Sequence, residues 1–136
     1  GRIKHFTSAF GEHVIAEEVE STMTKAVATF SCSVSEFHLA PQVNPEEGLP
    51  YHEWLIEFDQ EPEDLQAFAQ FIDKEMQSKN IYYKDLIEGA VLKSAVIRSV
   101  KVGAFNSYKK SQGKLGGQNK VPRLANDRKI ADALLK

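Results

Sequence analysis

Cysteine is nearly absent from this 136-residue sequence, which contains Cys32 as its only thiol. A single cysteine excludes a disulfide scaffold and a zinc ribbon, because each of these is built from several cysteines. Long apolar runs are also missing: no run approaches the ~20 residues that cross a bilayer, and no signal-peptide pattern opens the chain. We therefore expect a protein of the reducing cytoplasm with no membrane partner.

The sequence has no large excess of one charge, since 17 basic and 19 acidic residues give a net charge of −2. The two signs are nevertheless separated along the chain. Residues 1–100 hold 8 basic and 17 acidic groups, a balance of −9, and residues 101–136 hold 9 basic and 2 acidic groups, a balance of +7. Apolar residues make up 42% of the chain and charged residues 26%, which is ordinary for a folded protein. The length is that of one domain.

Apolar spacing in the first half of the chain predicts a hairpin, a helix and two strands. Two short extended pieces within residues 2–15 flank a turn at residues 10–12, which is a hairpin pattern. A β-rich stretch over residues 31–39 precedes a proline-containing loop over residues 41–50. One helical face is formed by Val19, Met23, Ala26, Val27 and Phe30. Strict alternation then predicts a strand with His52, Trp54, Ile56 and Phe58 on one face and Glu53, Leu55 and Glu57 on the other.

The second half of the chain predicts further helices and one more strand. A helix begins at Pro62, because the missing N–H of proline would be unpaired at the first helical position anyway. Its buried stripe consists of Leu65, Phe68, Ala69, Ile72 and Met76. The elements after it are a helix over residues 80–88, a strand over residues 96–102, a helix over residues 104–111 and a last helix capped by Asn126 or Asp127 that ends at Leu135. This order predicts an α+β fold with a small mixed sheet covered by helices.

Residues 113–123, GKLGGQNKVPR, form a segment rich in glycine and positive charge. Glycines let the backbone approach a ligand closely and direct successive N–H groups at an anion. The cations Lys114, Lys120 and Arg123 suit phosphate or carboxylate. A P-loop is excluded, because neither lysine is followed by serine or threonine. A solvated surface loop without a ligand is an equal alternative.

Nucleic-acid binding is a second interpretation of the basic C-terminal segment. Phe105 and Tyr108 offer rings on which bases could stack. No nucleic-acid-binding motif accompanies the basic residues, so we expect them to meet acidic surface in this domain or in a partner instead. The side chains that such an interface would use are Lys101, Lys109, Lys110, Lys114, Lys120, Arg123, Arg128 and Lys129.

Other chemically capable residues show no site pattern, and we predict no metal site. Cys32 has no adjacent histidine or cation to activate it, which favours a buried structural thiol. His52 shares a strand face with Trp54 and is interpreted as a packed or hydrogen-bonded residue. Metal-ligand spacing is missing among His5, His13, His38 and His52. Solvation and the helix dipole explain an acidic cluster at a strand end and helix start, formed by Glu57, Asp59, Glu61, Glu63 and Asp64.

Three stretches of the sequence together carry a family resemblance. The opening, GRIKHFTSAFGEHVIAEEVE, resembles the hinge motif at the start of the C-terminal domain of acyl-adenylate-forming enzymes, the superfamily of firefly luciferase and acyl-CoA synthetases. The stretches YHEWLIEFDQEPEDL and GKLGGQNKVPRLANDRK resemble the C-terminal domain of the auxin-responsive promoter (Gretchen Hagen) family of acyl-acid amido synthetases, in its bacterial style. The likeness covers essentially the whole chain.

The resemblance implies that residues 1–136 form the mobile C-terminal lid of an ATP-dependent ligase and are inactive alone. In such enzymes a carboxylic acid attacks the α-phosphate of ATP to form an acyl-adenylate, and an amine, often of an amino acid, then displaces AMP. The implied cofactors are ATP and Mg2+, both held mainly by a larger N-terminal domain. That domain, the acid and the amine are the implied partners. An independent anion- or nucleic-acid-binding module is the alternative function.

The resemblance also assigns roles to individual positions near the two ends of the chain. Arg2 and Lys4 lie at the hinge. Gly11 and Glu12 match the turn of a hairpin that faces the active site in the second step. Lys120 matches the active-site lysine, whose compact ammonium can offset charge developing between the carboxylate and the α-phosphate. Candidate phosphate contacts near it are Lys114, Gly116, Gly117 and Arg123.

Two departures from the family pattern limit this transfer. The luciferase-like superfamily carries its lysine in a proline-lysine-threonine-serine-glycine setting, which is absent here. Plant members tend to have tyrosine at the position of Asn119, so the nucleotide contacts of that side chain are not carried over. With Lys120 at its centre, the basic C-terminal segment is interpreted as the phosphate-facing edge of the lid.

Overall fold

The computed structural model describes residues 6–7, 14–43, 45–111, 121–125 and 127–135. The order of helices and strands along these residues agrees with the order predicted from apolar spacing. The elements are β1 (Phe6–Thr7), β2 (Val14–Ile15), α1 (Ala16–Phe30), β3 (Ser33–Gln42), β4 (Tyr51–Gln60), α2 (Leu65–Lys79), α3 (Ile81–Glu88), β5 (Val96–Ser99), α4 (Ala104–Ser111) and α5 (Lys129–Leu134).

Three strands form the central sheet, in the order β3–β4–β5. Trp54 of β4 lies opposite Leu39 of antiparallel β3 and opposite Ile97 of parallel β5. A parallel neighbour needs a long crossover connection, which α2 and α3 supply. β1 and β2 form a separate antiparallel pair, while the turn predicted at residues 10–12 lies outside the described residues. The predicted α+β fold with a small mixed sheet is confirmed.

The helices α1 and α2 cover one face of the sheet and form the larger core. Their buried faces follow the predicted spacing of three and four residues, which places apolar side chains on one side of each helix. The rings of Phe58 and Phe68 meet edge to face, with centroids 5.6 Å apart, an arrangement that aromatic pairs prefer. This core is formed chiefly by Val19, Met23 and Ala26 of α1, Phe68, Ile72 and Met76 of α2, and Trp54, Ile56 and Phe58 of β4.

The opposite face of the sheet is covered by α4 and α5, so that β4 is buried on both sides. Leu55 alternates with Trp54 along β4 and therefore points into this second core. The Glu57 carboxylate also lies on this side, where it accepts hydrogen bonds from the backbone N–H groups of Gly103 (3.1 Å) and Phe105 (3.3 Å) at the start of α4. The buried members of this core are Ala40, Leu55, Val100, Phe105, Val121, Ala131 and Leu134.

Two predicted boundaries that relied on proline are wrong. Pro41 lies inside β3, opposite His52, and not at the start of a loop. Pro62 lies before α2, which begins at Leu65, because the Asp64 side chain caps the helix by accepting from the N–H of Ala67 at 3.0 Å. A side chain that accepts an otherwise unpaired N–H fixes the helix start more strongly than the backbone angle of proline does.

The last strand and the last helix are also shorter than predicted. β5 ends at Ser99, although its apolar pattern continues to residue 102. The N-cap of α5 is Arg128, which makes no side-chain capping bond, so the cap predicted at Asp127 is wrong by one residue. Asp127 accepts a hydrogen bond from the N–H of Lys129 (3.0 Å), and the alternative cap at residue 126 lies outside the described residues. Within the described part of the chain, no helix combines the length and apolar character needed to cross a bilayer.

Candidate functional site

Arg123 is the one predicted site residue that the structure describes. The two lysines and two glycines predicted to act beside it belong to residues 112–120, and the hinge and hairpin positions belong to residues 1–5 and 8–13. All of these lie outside the described residues. The predicted roles there remain predictions. They concern Arg2, Lys4, Gly11, Glu12, Lys114, Gly116, Gly117 and Lys120.

The chain that follows Lys120 runs along the free edge of β3. Leu124 forms a parallel bridge with Leu39. The N–H of Leu39 donates to the carbonyl of Arg123 at 2.7 Å, and the N–H of Ala125 donates to the carbonyl of Leu39 at 3.1 Å. Leu124 is fully buried and Val121 is nearly so. Residues 121–125 are therefore packed against the domain and hydrogen-bonded to its sheet.

His38 adds a side-chain bond to this attachment. Its Nδ1 lies 2.6 Å from the carbonyl oxygen of Pro122. Because a carbonyl oxygen can only accept, the proton of the ring lies on Nδ1. His38 has no exposed surface, and its Nε2 is buried without a hydrogen-bond partner among the described residues.

Burial lowers the pKa of His38 below its ordinary value of 6.5. The bond to Pro122 and the charge of Asp127 oppose this shift, whereas the charge of Arg128 adds to it. The ring is therefore neutral at neutral pH, with a single hydrogen-bond donor aimed at Pro122. His38 was not among the predicted site residues, although a polar residue between Phe37 and Leu39 in a predicted strand was a usable signal.

Arg123 packs against the opposite side of the same strand. Its guanidinium carbon lies 4.4 Å from the centre of the Phe37 ring, and its Nε lies 3.8 Å from an oxygen of Glu20 on α1. A guanidinium over an aromatic face is an attractive arrangement. Nη1 is buried and has no hydrogen-bond partner among the described residues. The contacts that the structure gives this side chain are thus within the domain.

Basic residues of the C-terminal segment meet acidic residues of the first hundred. Lys109 on α4 lies 2.9 Å from a carboxylate oxygen of Glu36 on β3. Arg128 donates to one oxygen of the buried Glu53 at 2.7 Å, and the other oxygen accepts at 2.8 Å from Arg98, which belongs to the first hundred residues. These pairs support the expectation that the positive segment meets acidic surface in this domain.

Among the described residues, several other chemically capable side chains occupy structural positions, whereas His5 and His13 lie outside the described residues. Cys32 is buried, and burial raises the pKa of its thiol, so the reactive thiolate is disfavoured. His52 is buried and stacks on the Tyr83 ring with centroids 4.9 Å apart. Asp59 accepts hydrogen bonds from the hydroxyls of Ser33 and Ser35. Where residues are described, no group of three or more His, Cys, Asp and Glu side chains is arranged to hold a metal ion.

The fold is shared with solved structures of acyl acid amido synthetases. A GH3.15 acyl acid amido synthetase superposes with a TM-score of 0.76 at 16% identity, over 98% of this chain and 26% of its own. AtGH3.15 acyl acid amido synthetase in complex with 2,4-DB superposes with a TM-score of 0.74 at 15% identity, again over 98% and 26%. At these identities the likeness establishes the fold, an α+β domain that spans about a quarter of the length of each synthetase.

A family model described as the GH3 family C-terminal domain matches residues 17–129. The chain therefore belongs to the GH3 family and corresponds to its C-terminal domain, which confirms the resemblance to the Gretchen Hagen family. The matched region contains both His38 and Lys120. No curated protein sequence matches the chain.

Proposed function

We propose that this domain is the mobile lid of an ATP-dependent acyl acid amido synthetase and that Lys120 acts in its adenylation step. The observation that carries the proposal is the match of residues 17–129 to the GH3 C-terminal domain, with Lys120 inside the match. The two structural neighbours are acyl acid amido synthetases. The proposed reaction joins a carboxylic acid to an amine through an acyl-adenylate, and the enzyme is accordingly a ligase.

The proposed role of Lys120 follows from the charge that the adenylation step develops. An anionic carboxylate attacks the anionic α-phosphate, and pyrophosphate leaves. A flexible ammonium placed between the two anions lowers their repulsion and stabilises the charge of the transition state. Lys114, Gly116, Gly117 and Arg123 are proposed phosphate contacts nearby, and the hinge and second-step roles of Arg2, Lys4, Gly11 and Glu12 complete the proposal.

ATP and Mg2+ are the proposed cofactors, and both would be held mainly by an N-terminal domain, with an amino acid as one proposed amine. When bound, Mg2+ would offset phosphate charge during adenylation. The domain's own contribution would be the basic segment, in which residues 121–125, directly after Lys120 in the sequence, are attached to β3. We propose the cytoplasm as the setting of this chemistry.

Exchange of labelled pyrophosphate into ATP tests the adenylation step. The full-length protein would be assayed with a panel of aromatic and aliphatic carboxylic acids, and the best acid would be carried forward. Replacing Lys120 by alanine is expected to lower the exchange rate by about 10²–10³-fold, since groups that stabilise transition-state charge are often worth that much. Amide formation from a preformed acyl-adenylate would be affected less, because a different face of a lid serves the second step.

Lys110→Ala is the matched control, because Lys110 is an exposed lysine of the same basic segment. It should leave exchange unchanged. Equal loss in both variants would indicate a general effect of positive charge, and an unchanged rate in the Lys120 variant would remove that residue from the mechanism. Absence of exchange with every acid, together with salt-sensitive binding of DNA or RNA, would favour the alternative binding module.

A further inference from the structure

The bond between His38 and Pro122 is, among the described hydrogen bonds, the one nearest to Lys120 along the chain. Pro122 follows Lys120 by two residues, whereas the backbone bonds to β3 involve Arg123 and Ala125. We propose that His38 is a positioning residue: its Nδ1–H holds the Pro122 carbonyl and fixes the point from which the backbone continues to Lys120. This inference rests on the proposed function of Lys120 in adenylation.

The environment of His38 leaves its ring one way to bond. Pro122 offers only an acceptor, which requires the proton on Nδ1, and the neutral ring then has no hydrogen on the buried Nε2. The neutral Nδ1–H tautomer is thus selected by the bond to the Pro122 carbonyl. The side chain has no exposed surface, so packing also holds its orientation.

The two residues between this bond and Lys120 are stiff. Proline fixes its own φ angle near −65° and biases the residue before it toward extended backbone. Val121, the residue before Pro122, is also buried in the core beneath α4 and α5. A displacement of the Pro122 carbonyl would therefore be passed along the chain and not absorbed by free rotation. A misplacement of about 1 Å at a reacting group can cost about 10²-fold in rate.

A double-mutant cycle tests whether His38 acts through Lys120. His38→Leu removes the donor and would be measured alone and combined with Lys120→Ala in the full-length protein, by pyrophosphate exchange with the acid chosen above. Alone, His38→Leu is expected to lower kcat by roughly tenfold or more with a small change in KM for ATP, since the lysine acts in the transition state. Combined with Lys120→Ala, it is expected to cause no further loss.

His38→Asn is the conservative variant, because an Asn amide N–H lies where Nδ1–H lies in histidine and can still donate to Pro122. It should restore the rate to within roughly threefold of the native protein. His52→Leu is the matched control, since His52 is an equally buried histidine that packs in the other core, against Tyr83. His52→Leu should lower thermal stability, and any effect it has on the exchange rate should be the same with and without Lys120→Ala.

Hydrogen exchange gives a readout that does not depend on activity. The amides of Leu39 and Ala125, which join β3 to the segment after Pro122, are expected to exchange faster in His38→Leu than in His52→Leu or His38→Asn. Unchanged exchange at these amides would show that His38 does not hold the segment, and the proposal would be overturned whatever the activity.

The possible outcomes separate this proposal from the proposed function. If Lys120→Ala is inactive and His38→Leu retains the native kcat, the role of Lys120 stands and the positioning role of His38 is overturned. Equal losses from His38→Leu in both backgrounds would also overturn it, because a purely structural effect does not depend on the lysine. If Lys120→Ala retains native exchange, the proposed function of the lysine fails, and any effect of His38 on activity then has another cause.

Discussion

At the residue scale, His38 makes the stability of the domain depend on pH near neutrality. Its pKa in the folded chain is below 6.5, chiefly because of burial. The unfolded chain binds the proton more readily, so stability from this residue is complete above about pH 6.5 and declines as the pH falls toward the folded pKa. Asp127 and Arg128 are the charged neighbours that act on the ring, with opposite effects on its pKa.

The measurement is the urea midpoint of unfolding between about pH 5 and pH 7.5, for the native chain and for His38→Asn. Asparagine does not titrate, so the variant should lose less stability on acidification. The slopes of unfolding free energy against pH should differ between the two proteins by the equivalent of at most one bound proton. The other titrating groups are shared by both proteins and cancel in the comparison. Parallel pH profiles would show that His38 is not protonated on unfolding in this range.

At the element scale, the helix starts show which features of the sequence decide local structure. The apolar periodicity gave the correct faces of α1 and α2, because burial in the core dominates over propensity. The two boundaries predicted from proline were wrong. Pro41 is accommodated in an outer strand, and Pro62 precedes the residue that caps α2. Those outcomes depend on a neighbouring strand and on a side-chain bond, neither of which spacing alone reveals.

The candidate site was predictable to a different extent. Motif resemblance identified the family, because a motif preserves order and distance along the chain, while the role of the lysine segment stays a prediction. The anchoring of residues 121–125 to β3 was not predictable, because it joins positions more than eighty residues apart. The covering of the second face of β4 by α4 and α5 escaped prediction for the same reason, since Glu53 and Glu57 gave that face a polar appearance.

Asp64 provides the element-scale prediction. Its side chain accepts from the N–H of Ala67 at 3.0 Å and caps α2, one of the two helices over the main core. Asp64→Ala is expected to lower the free energy of unfolding by about 1 kcal/mol. Glu63→Ala is the control, because Glu63 is an exposed carboxylate that immediately precedes the cap. Urea unfolding of both variants would measure the difference, and equal losses would indicate a general effect of negative charge near the helix start.

At the scale of the whole molecule, Glu53 forms an ion pair between the acidic first hundred residues and the basic C-terminal segment. This carboxylate on β4 has 1% exposed surface and pairs with Arg98 on β5 and with Arg128 just before α5. Arg128 also approaches the carbonyl of Pro41 on β3 at 3.5 Å and lies 3.1 Å from Asp132 on α5. One acid from the negative first hundred residues thus connects the central sheet to the positive C-terminal segment.

Replacing Glu53 by glutamine tests whether this connection stabilises the whole fold. The variant leaves the half-buried Arg128 without its nearest counter-charge, and breaking a buried ion pair is expected to cost about 3–5 kcal/mol of unfolding free energy. Because the pair is shielded from solvent, most of that cost should persist at about 1 M salt. Exchange of the Asp132 and Leu135 amides of α5 should accelerate in the same variant, since Arg128 holds the helix start to the sheet.

Glu88→Gln supplies the comparison, because Glu88 and Lys84 form an exposed pair at 3.9 Å on α3. That pair should contribute about 0.3–0.5 kcal/mol at low salt and almost nothing at high salt. A Glu53 effect of the same size, or one abolished by salt, would mean that α5 is held by its apolar contacts with Phe105 and Leu55 alone. In that case the separation of charge along the chain would have no part in holding the C-terminal segment, and with it the anchored residues 121–125, to the domain.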